Sequence, residues 1–301
     1  MKVSGATFVR NAIRFGYPVV ESIRSILPIC DEFIVNVGDS EDETLALIKS
    51  IDDPKIRIVT SKWDDNLRQG GRILSQQTDI ALSHCSGDWI FYIQADEVVH
   101  ERYLEIIRRK MEAFLPVKEV EGLLFDFRHF FGSYYLVKDE RGWYRREVRV
   151  IRNNIGITSW KDAQGFRLNG RKLRVVHSGA EVYHYGWARN PSVMAAKQRN
   201  LDRYWQDDSW IEQKYSKGFE IRLKGVIAFE GTHPGVMRDR IVRADWDVFR
   251  DIERRRRFRR SVLRRITALF DSIGEYRNYI LLDERQLLSR QLGDTEGSAN
   301  R

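Results

Sequence analysis

The sequence predicts an α/β fold: a doubly wound, mostly parallel sheet with flanking helices, followed by a small antiparallel sheet and a helical C-terminal extension. Three observations predict it. The first is the run Trp89-Ile90-Phe91-Tyr92-Ile93, entered through Gly87-Asp88 and ended at Asp96-Glu97. Unbroken apolarity over so short a span suits a strand buried on both faces, as in the middle of a parallel sheet. The second is the strand, loop, helix order that repeats ahead of that run. The third is that the apolar runs end in polar turns: Arg10-Asn11, Gly38-Asp39-Ser40 and Asp96-Glu97. In an open α/β sheet the ligand crevice lies beyond the carboxyl ends of the strands, which places Asp96 and Glu97 where ligands bind. Two carboxylates there can hold a divalent cation, and through it a diphosphate. The ordinary alternative is an acidic turn capping a helix that begins near Arg102.

The elements follow in order. Val3 to Val9 is short and β-branched and ends in Arg10-Asn11, a first strand with its loop at the crevice edge. Pro18 suits the first turn of a helix carrying Val19, Ile23, Ile26 and Leu27. Phe33 to Val37 is the second strand, and Gly38-Asp39-Ser40-Glu41-Asp42-Glu43-Thr44 follows it. Ser40 and Glu43 form a capping-box pattern for the next helix, with Asp42 a second capping candidate. Asp39 stands before the cap, where it can accept hydrogen bonds from a base or ribose. Ile56 to Thr60 makes a third strand. The loop after it, Trp63 to Arg72 with Gly70-Gly71, enters a helix through Ile73, Leu74, Ile80, Ala81 and Leu82. Paired glycines let backbone amides approach a ligand, and the helix start with Arg72 favours negative charge. An ordinary turn explains the glycines equally well.

With 301 residues and 42% hydrophobic content, the chain can bury one large core or two modest ones. No apolar run is long enough to cross a bilayer, and the start Met1-Lys2-Val3-Ser4 lacks the charged-then-apolar pattern of a leader. Cys30 and Cys85 have no metal spacing and fit packing roles in a reducing compartment. We therefore expect a cytoplasmic protein, soluble or peripheral on the inner face of the membrane. The net charge of +8 is concentrated between Arg250 and Arg265, which suggests an anionic partner, either a polyanion or a bilayer surface. No G-x-G-x-x-G follows the first strand and no G-x-x-x-x-G-K-[ST] occurs, which disfavours a dinucleotide fold of the usual kind and a P-loop.

Taken together, Arg10-Asn11 after the first strand, the Gly38 to Thr44 turn, Gly87-Asp88-Trp89 leading to Gln94-Ala95-Asp96-Glu97, and His184-Tyr185-Gly186-Trp187 resemble the family 2 glycosyltransferases of GT-A fold. The resemblance covers roughly the first two thirds of the chain. It implies an inverting transfer of a sugar from a nucleotide-sugar donor to an acceptor hydroxyl, on a cell-surface glycan or lipid-linked saccharide. It implies a divalent metal, Mn or Mg, because the family's fourth strand ends in an Asp-x-Asp motif whose last carboxylate binds metal and diphosphate. Asp96 matches that last position, whereas Gln94 replaces the first aspartate; Gln94 can still bond a ribose hydroxyl but brings no charge. A second aspartate of the early turn is missing, with Gly38 near its place. The base stays open among uridine, guanosine and thymidine, a uridine-diphosphate sugar being taken first. Arg10, Asn11, Asp39, Arg72, Gln94 and Asp96 form the expected nucleotide-sugar set. The implied partition is a glycosyltransferase domain over 1–235 (nucleotide-binding half 1–120, acceptor and metal half 121–235), a basic helical extension over 236–292 and a disordered tail over 293–301.

Beyond Val120 the pattern changes. Gly122 to Phe131, Tyr134 to Val137 and Trp143 to Ile151 suggest antiparallel strands walling an acceptor site, with Trp143, Tyr144 and Trp160 either stacking on sugars or filling core. The loop Trp160 to Phe166 lies where the family places its catalytic carboxylate, and Asp162 is the candidate general base; its ordinary role would be pairing with an arginine. His184 resembles the C-terminal histidine that in many GT-A enzymes completes the metal or diphosphate site, so Asp96 and His184 form the expected metal pair. His177 is taken as structural. Pro191 opens a helix on which Lys197, near Arg189, either neutralises a diphosphate or lies on a solvated face. From Arg238 onward the chain is helix-prone, and the stripe Val262, Leu263, Ile266, Leu269, Phe270 and Ile273 suits an anionic membrane, the domain's own surface or a second subunit in a homodimer. The competing readings are a GT-A-fold protein with impaired catalysis and a polyanion-binding or nucleic-acid-binding module using the arginine-rich helices. The carboxylates in the main crevice disfavour nucleic acid.

Overall fold

A computed structural model describes residues 1–64, 66–67, 70–140, 142–216, 218, 225–246 and 278–289. Strand β1 (Val3–Val9), helix α1 (Val19–Ile26), β2 (Glu32–Gly38), α2 (Thr44–Lys49), β3 (Ile56–Ser61), α3 (Arg72–Ser83) and β4 (Trp89–Tyr92) follow in the alternation the sequence predicts. Then come β5 (Glu97–Val99), α4 (Leu104–Phe114), β6 (Gly122–Phe131), β7 (Leu136–Lys138), β8 (Arg146–Arg152), β9 (Ile157–Trp160), β10 (Gly165–Leu168) and the long β11 (Arg171–Trp187). Helices α5 (Pro191–Asp202) and α6 (Asp208–Tyr215), β12 (Val226–Ala228), α7 (Arg238–Val242) and β13 (Tyr279–Leu281) complete the described elements.

The sheet runs β3-β2-β1-β4-β8-β6-β11-β10-β9. The first four strands are parallel, β8 is antiparallel to β4 and β6, and β6 is parallel to β11. Helices lie on both faces. Val19, Ile23, Ile107, Met111 and Phe114 of α1 and α4 pack with Phe33, Val35, Trp89 and Phe91 on one face. Ala81 and Leu82 of α3 pack with Ile34, Ile90, Tyr92 and Phe166 on the other. Each such side chain, removed from water, contributes about 1.5–3 kcal/mol, which is why the Trp89 to Tyr92 run accepts no polar residue. The indole N–H of Trp89 donates to the Met111 carbonyl at 3.0 Å. The Arg152 guanidinium lies over that indole and donates to the Phe114, Leu115, Val117 and Val120 carbonyls at the end of α4.

The capping box does not form. Helix α2 begins at Thr44, whose N–H donates to Asp42 Oδ1, whereas the Ser40 hydroxyl donates to the Gly38 carbonyl and accepts from Asn11 N–H. Of the two capping candidates, Asp42 takes the first helical N–H, while Glu43 occupies the N-cap position without a side-chain cap bond. Val175 to His177 and Glu181 to Trp187 belong to the single strand β11, which changes register against β6 between His177 and Glu181. His177 pairs there with Asp126 at 3.1 Å. After the gap in the described residues, the chain returns to the sheet: β13 pairs with β11, and Leu287 joins the core. Asp65 and Gln69, the arginine-rich stretch 250–265, the apolar stripe 262–273 and the tail 293–301 lie outside the described residues. Among the described residues, no helix is long and apolar enough to cross a membrane.

Candidate functional site

A cavity of about 430 Å³ opens at the carboxyl ends of β1 and β4. Arg10, Asn11, Gln94, Asp96, Asp162, His184, Trp187 and Lys197 reach it from five segments of the chain. The strand pairing explains how the most distant of these meet. In the register of β5 against β11, Glu97 lies opposite His184, and the Asp96 carbonyl accepts from Tyr185 N–H at 2.7 Å. His184 Nε2 then lies 3.7 Å from Asp96 Oδ1.

Glu97 corrects the expectation of two carboxylates at the crevice. Its carboxylate is fully buried and points away, gripped by Arg149 through bonds of 2.6 and 2.7 Å. The peptide turns sharply at Ala95-Asp96, and neighbouring side chains on so tight a turn diverge, one into the cavity and one into the protein. The same guanidinium donates to the Gln164 carbonyl at 3.0 Å, and the Gln94 side-chain amide donates to the Ala163 carbonyl at 3.1 Å. Arg149 and Gln94 therefore hold the β9–β10 turn on which Asp162 stands. Lys161 and Ala163 flank Asp162 with φ of 54° and 62°, a backbone that needs such outside support.

Asp96 is not a bare carboxylate. Lys197 Nζ lies 2.8 Å from its Oδ2 and also donates to the Gly186 carbonyl at 2.8 Å; Arg189 lies 3.8 Å from the same oxygen. All three residues are buried. Burial alone would raise the Asp96 carboxyl, but the cations beside it, Lys197 first, hold it far below the ordinary range. Burial and the Arg189 charge bring the Lys197 ammonium down to about 8, so it stays charged at neutral pH. The sequence offered a solvated helix face for Lys197; it lies buried instead.

The histidines are neutral. Burial lowers His184 well below its usual value and takes His129 to about 4. His129 Nε2 lies 2.6 Å from the Tyr144 carbonyl and its Nδ1 lies 2.9 Å from His184 Nδ1. A carbonyl only accepts, so His129 carries its proton on Nε2, His184 carries its own on Nδ1, and the bare His184 Nε2 faces Asp96 and the cavity.

Asn11, at φ 54°, accepts from Glu41 N–H at 2.7 Å and so fixes the turn after β2. Asp39 does not line the cavity; it accepts from Arg10 at 3.3 Å and from Trp63 N–H at 3.2 Å, steadying both. Arg72 opens instead on a second cavity of about 820 Å³, lined also by Trp160, Lys161, Gln164 and Trp205. Asp162 and Trp205 border both cavities. The Gly70-Gly71 pair has a packing reason: a Cβ at Gly71 would come within 2.7 Å of Asp162 Cβ and 2.9 Å of the Trp205 ring. Burial raises the Asp162 carboxyl above its usual value, a direction that suits a proton acceptor.

The family model described as Glycosyl transferase family 2 matches residues 16–173, a little over half of the chain. The chain belongs to that family. No curated protein matches it in sequence. Among solved structures it is similar to S. aureus TarS, with 15% identity, a TM-score of 0.38, and coverage of 72% of this chain and 42% of that one. It thus spans less than half the length of that protein. A 1–349 form of S. aureus TarS in complex with UDP matches at 14% identity and a TM-score of 0.36, over 72% of this chain and 70% of that one. Glucosyl-3-phosphoglycerate synthase from Mycobacterium tuberculosis, in complex with Mn2+, UDP and phosphoglyceric acid, matches at 20% identity and a TM-score of 0.29, over 43% of each chain.

Within this member of the family, sequence reasoning missed the part played by Trp63. Its buried indole lies between Phe8 and Tyr204, with Arg10 over it. A Cβ at Gly38 would fall 2.3 Å from Trp63 Nε1. The glycine in place of the early aspartate therefore leaves room for this ring. The available signal was the pairing of a missing side chain with an extra large one 25 positions on, which a linear reading does not join.

Proposed function

We propose that the protein transfers a sugar from a nucleotide-sugar donor to an acceptor hydroxyl with inversion. The observation that carries this reading is the convergence of Arg10, Asp96, Asp162 and Lys197 on one cavity at the strand ends, beside a second cavity that shares Asp162. The first cavity takes the donor, its base against the Trp63, Phe8 and Tyr204 rings and its diphosphate toward Asp96 and Lys197. The second takes the acceptor, a saccharide stacked on the exposed rings of Trp160 and Trp205.

In the transfer, the acceptor hydroxyl gives its proton to the Asp162 carboxylate. Its oxygen bonds to the anomeric carbon as the bond from that carbon to the diphosphate breaks, and the electron pair leaves with the nucleoside diphosphate. A single displacement inverts the anomeric centre. The β9–β10 turn, held by Arg149 and Gln94, keeps the base at the boundary of the two cavities.

The family resemblance also implies a divalent ion, and the donor set does not fit one. Gln94 supplies no carboxylate, and Asp96, the one carboxylate beside the bare His184 Nε2, already meets two buried cations; an imidazole can ligate a metal but brings no charge to offset them. Among the described residues, no group of three His, Cys, Asp or Glu side chains is placed to hold a metal ion.

The test is release of nucleoside diphosphate from a panel of UDP-, GDP- and dTDP-sugars, with and without saccharide acceptors. Turnover that requires acceptor and is lost in Asp162→Asn is expected. Hydrolysis without transfer, or no turnover of any donor, would refute the reading.

A further inference from the structure

Building on the nucleotide-sugar reading, we propose that the Lys197 ammonium, backed by the Arg189 guanidinium, takes the place of a divalent cation at Asp96, so that the donor diphosphate binds without metal. Charge is the first argument. One carboxylate between two cations makes this corner net positive before any ligand enters. A divalent ion bound by Asp96 would have to share that carboxylate with two cations, Lys197 at 2.8 Å and Arg189 at 3.8 Å from its Oδ2, in a buried, poorly screened space. A diphosphate entering the same space meets an attraction of the right sign.

Geometry is the second argument. Lys197 lines the cavity, and two of its three N–H donors are accounted for by Asp96 and Gly186. The third is available to a phosphate oxygen. Such a contact strengthens as the sugar bond breaks and charge gathers on the leaving group. The ammonium is fixed for this task. It sits 5.1 Å from the centre of the Tyr17 ring and 6.0 Å from that of Trp187, while Arg189 lies 5.0 Å from the same Tyr17 ring. Pro191 at the start of α5, with Asn190 capping it, fixes the helix that carries Lys197. Asp96 thereby acquires a definite role: it holds the lysine in place and keeps it charged.

The experiment is titration calorimetry of the full chain with UDP, GDP and dTDP, each in EDTA and each in Mn2+, together with Mn2+ alone followed by loss of the free-ion resonance signal. At least one nucleoside diphosphate should bind equally well in EDTA and in Mn2+, and Mn2+ alone should not be taken up at Asp96. Lys197→Met should weaken binding in EDTA by roughly tenfold to a hundredfold, the worth of one charge-assisted contact. Added Mn2+ should restore part of it, because Asp96 and His184 are then open to an ion. Binding that appears only with Mn2+, or Mn2+ uptake abolished by Asp96→Asn, would overturn the proposal while leaving the donor reading intact. Absence of binding in both conditions would overturn the donor reading, and this proposal with it. Because the comparison of EDTA with Mn2+ is made on the unaltered chain, it decides even if the Lys197 variant fails to fold.

Discussion

Arg149 and Glu97 offer the sharpest test of how the site is held. Both side chains are fully buried. Arg149→Met would strand the Glu97 carboxylate without its partner, a loss of about 3–5 kcal/mol. Glu97→Met strands the guanidinium at similar cost. The double variant removes both charges, leaving Gln94 N–H without the Glu97 Oε2 acceptor it has at 3.1 Å and the Val148 and Gln164 carbonyls without Arg149. Those neutral losses sum to about 1–3 kcal/mol. The double variant should therefore be more stable than either single one, with a coupling energy on the order of 3 kcal/mol or more. Urea unfolding followed by tryptophan fluorescence measures all four proteins, since a native stability above about 7 kcal/mol, within the roughly 5–15 kcal/mol usual for folded domains, leaves the single variants folded. Additive losses would show that the two groups are not an interdependent pair and would refute the reasoning.

Further outcomes are expected. Asp162→Asn should lower kcat by roughly 10²–10⁴ with little change in the dissociation constant of the nucleoside diphosphate, because Asn fills the same space and the proposed diphosphate position is at Asp96 and Lys197 rather than at the boundary where Asp162 stands; single-turnover kinetics with calorimetry separate the two. Gly38→Ala should push the Trp63 indole aside, costing about 1–3 kcal/mol in thermal or urea unfolding and weakening nucleotide binding. Burial raises the Glu147 carboxyl from 4.5 to about 7. A carboxyl raised in the folded state contributes stability that is full below its unfolded value and is lost as pH rises through about 7. Glu147→Gln should therefore gain on the unaltered protein by roughly 3 kcal/mol between pH 4.5 and pH 7.5, read as the difference between their urea midpoints across that range. No relative gain over this interval would refute the assignment.

The sequence made the parallel half of the sheet legible because a strand buried on both faces has no freedom in composition: the Trp89 to Ile93 run, the β-branched Val3 to Val9 and Phe33 to Val37 all declare themselves. It also marked the polar turns at strand ends, and so Asp96; Asp162 and His184 became candidates only through the family resemblance. Side-chain direction was not legible. Asp96 and Glu97 are chemically alike and adjacent, yet one enters the cavity and the other is clamped by Arg149, 52 residues away. Lys197 looked like any lysine on a mixed helix, because its burial depends on where α5 lands against Tyr17 and Trp187.

By itself, the sequence determined the α/β order, the strand ends that border the crevice and the residue types available there, since these follow from local hydrophobic pattern and turn chemistry. Only the tertiary structure decided the electrostatics. Whether a carboxylate meets a cation, a neutral imidazole or another side chain depends on the pairing of β5 with β11 and on the seating of α5, contacts between segments about a hundred residues apart in the chain. Charge interactions in a buried space follow distance, and distance is set by the fold.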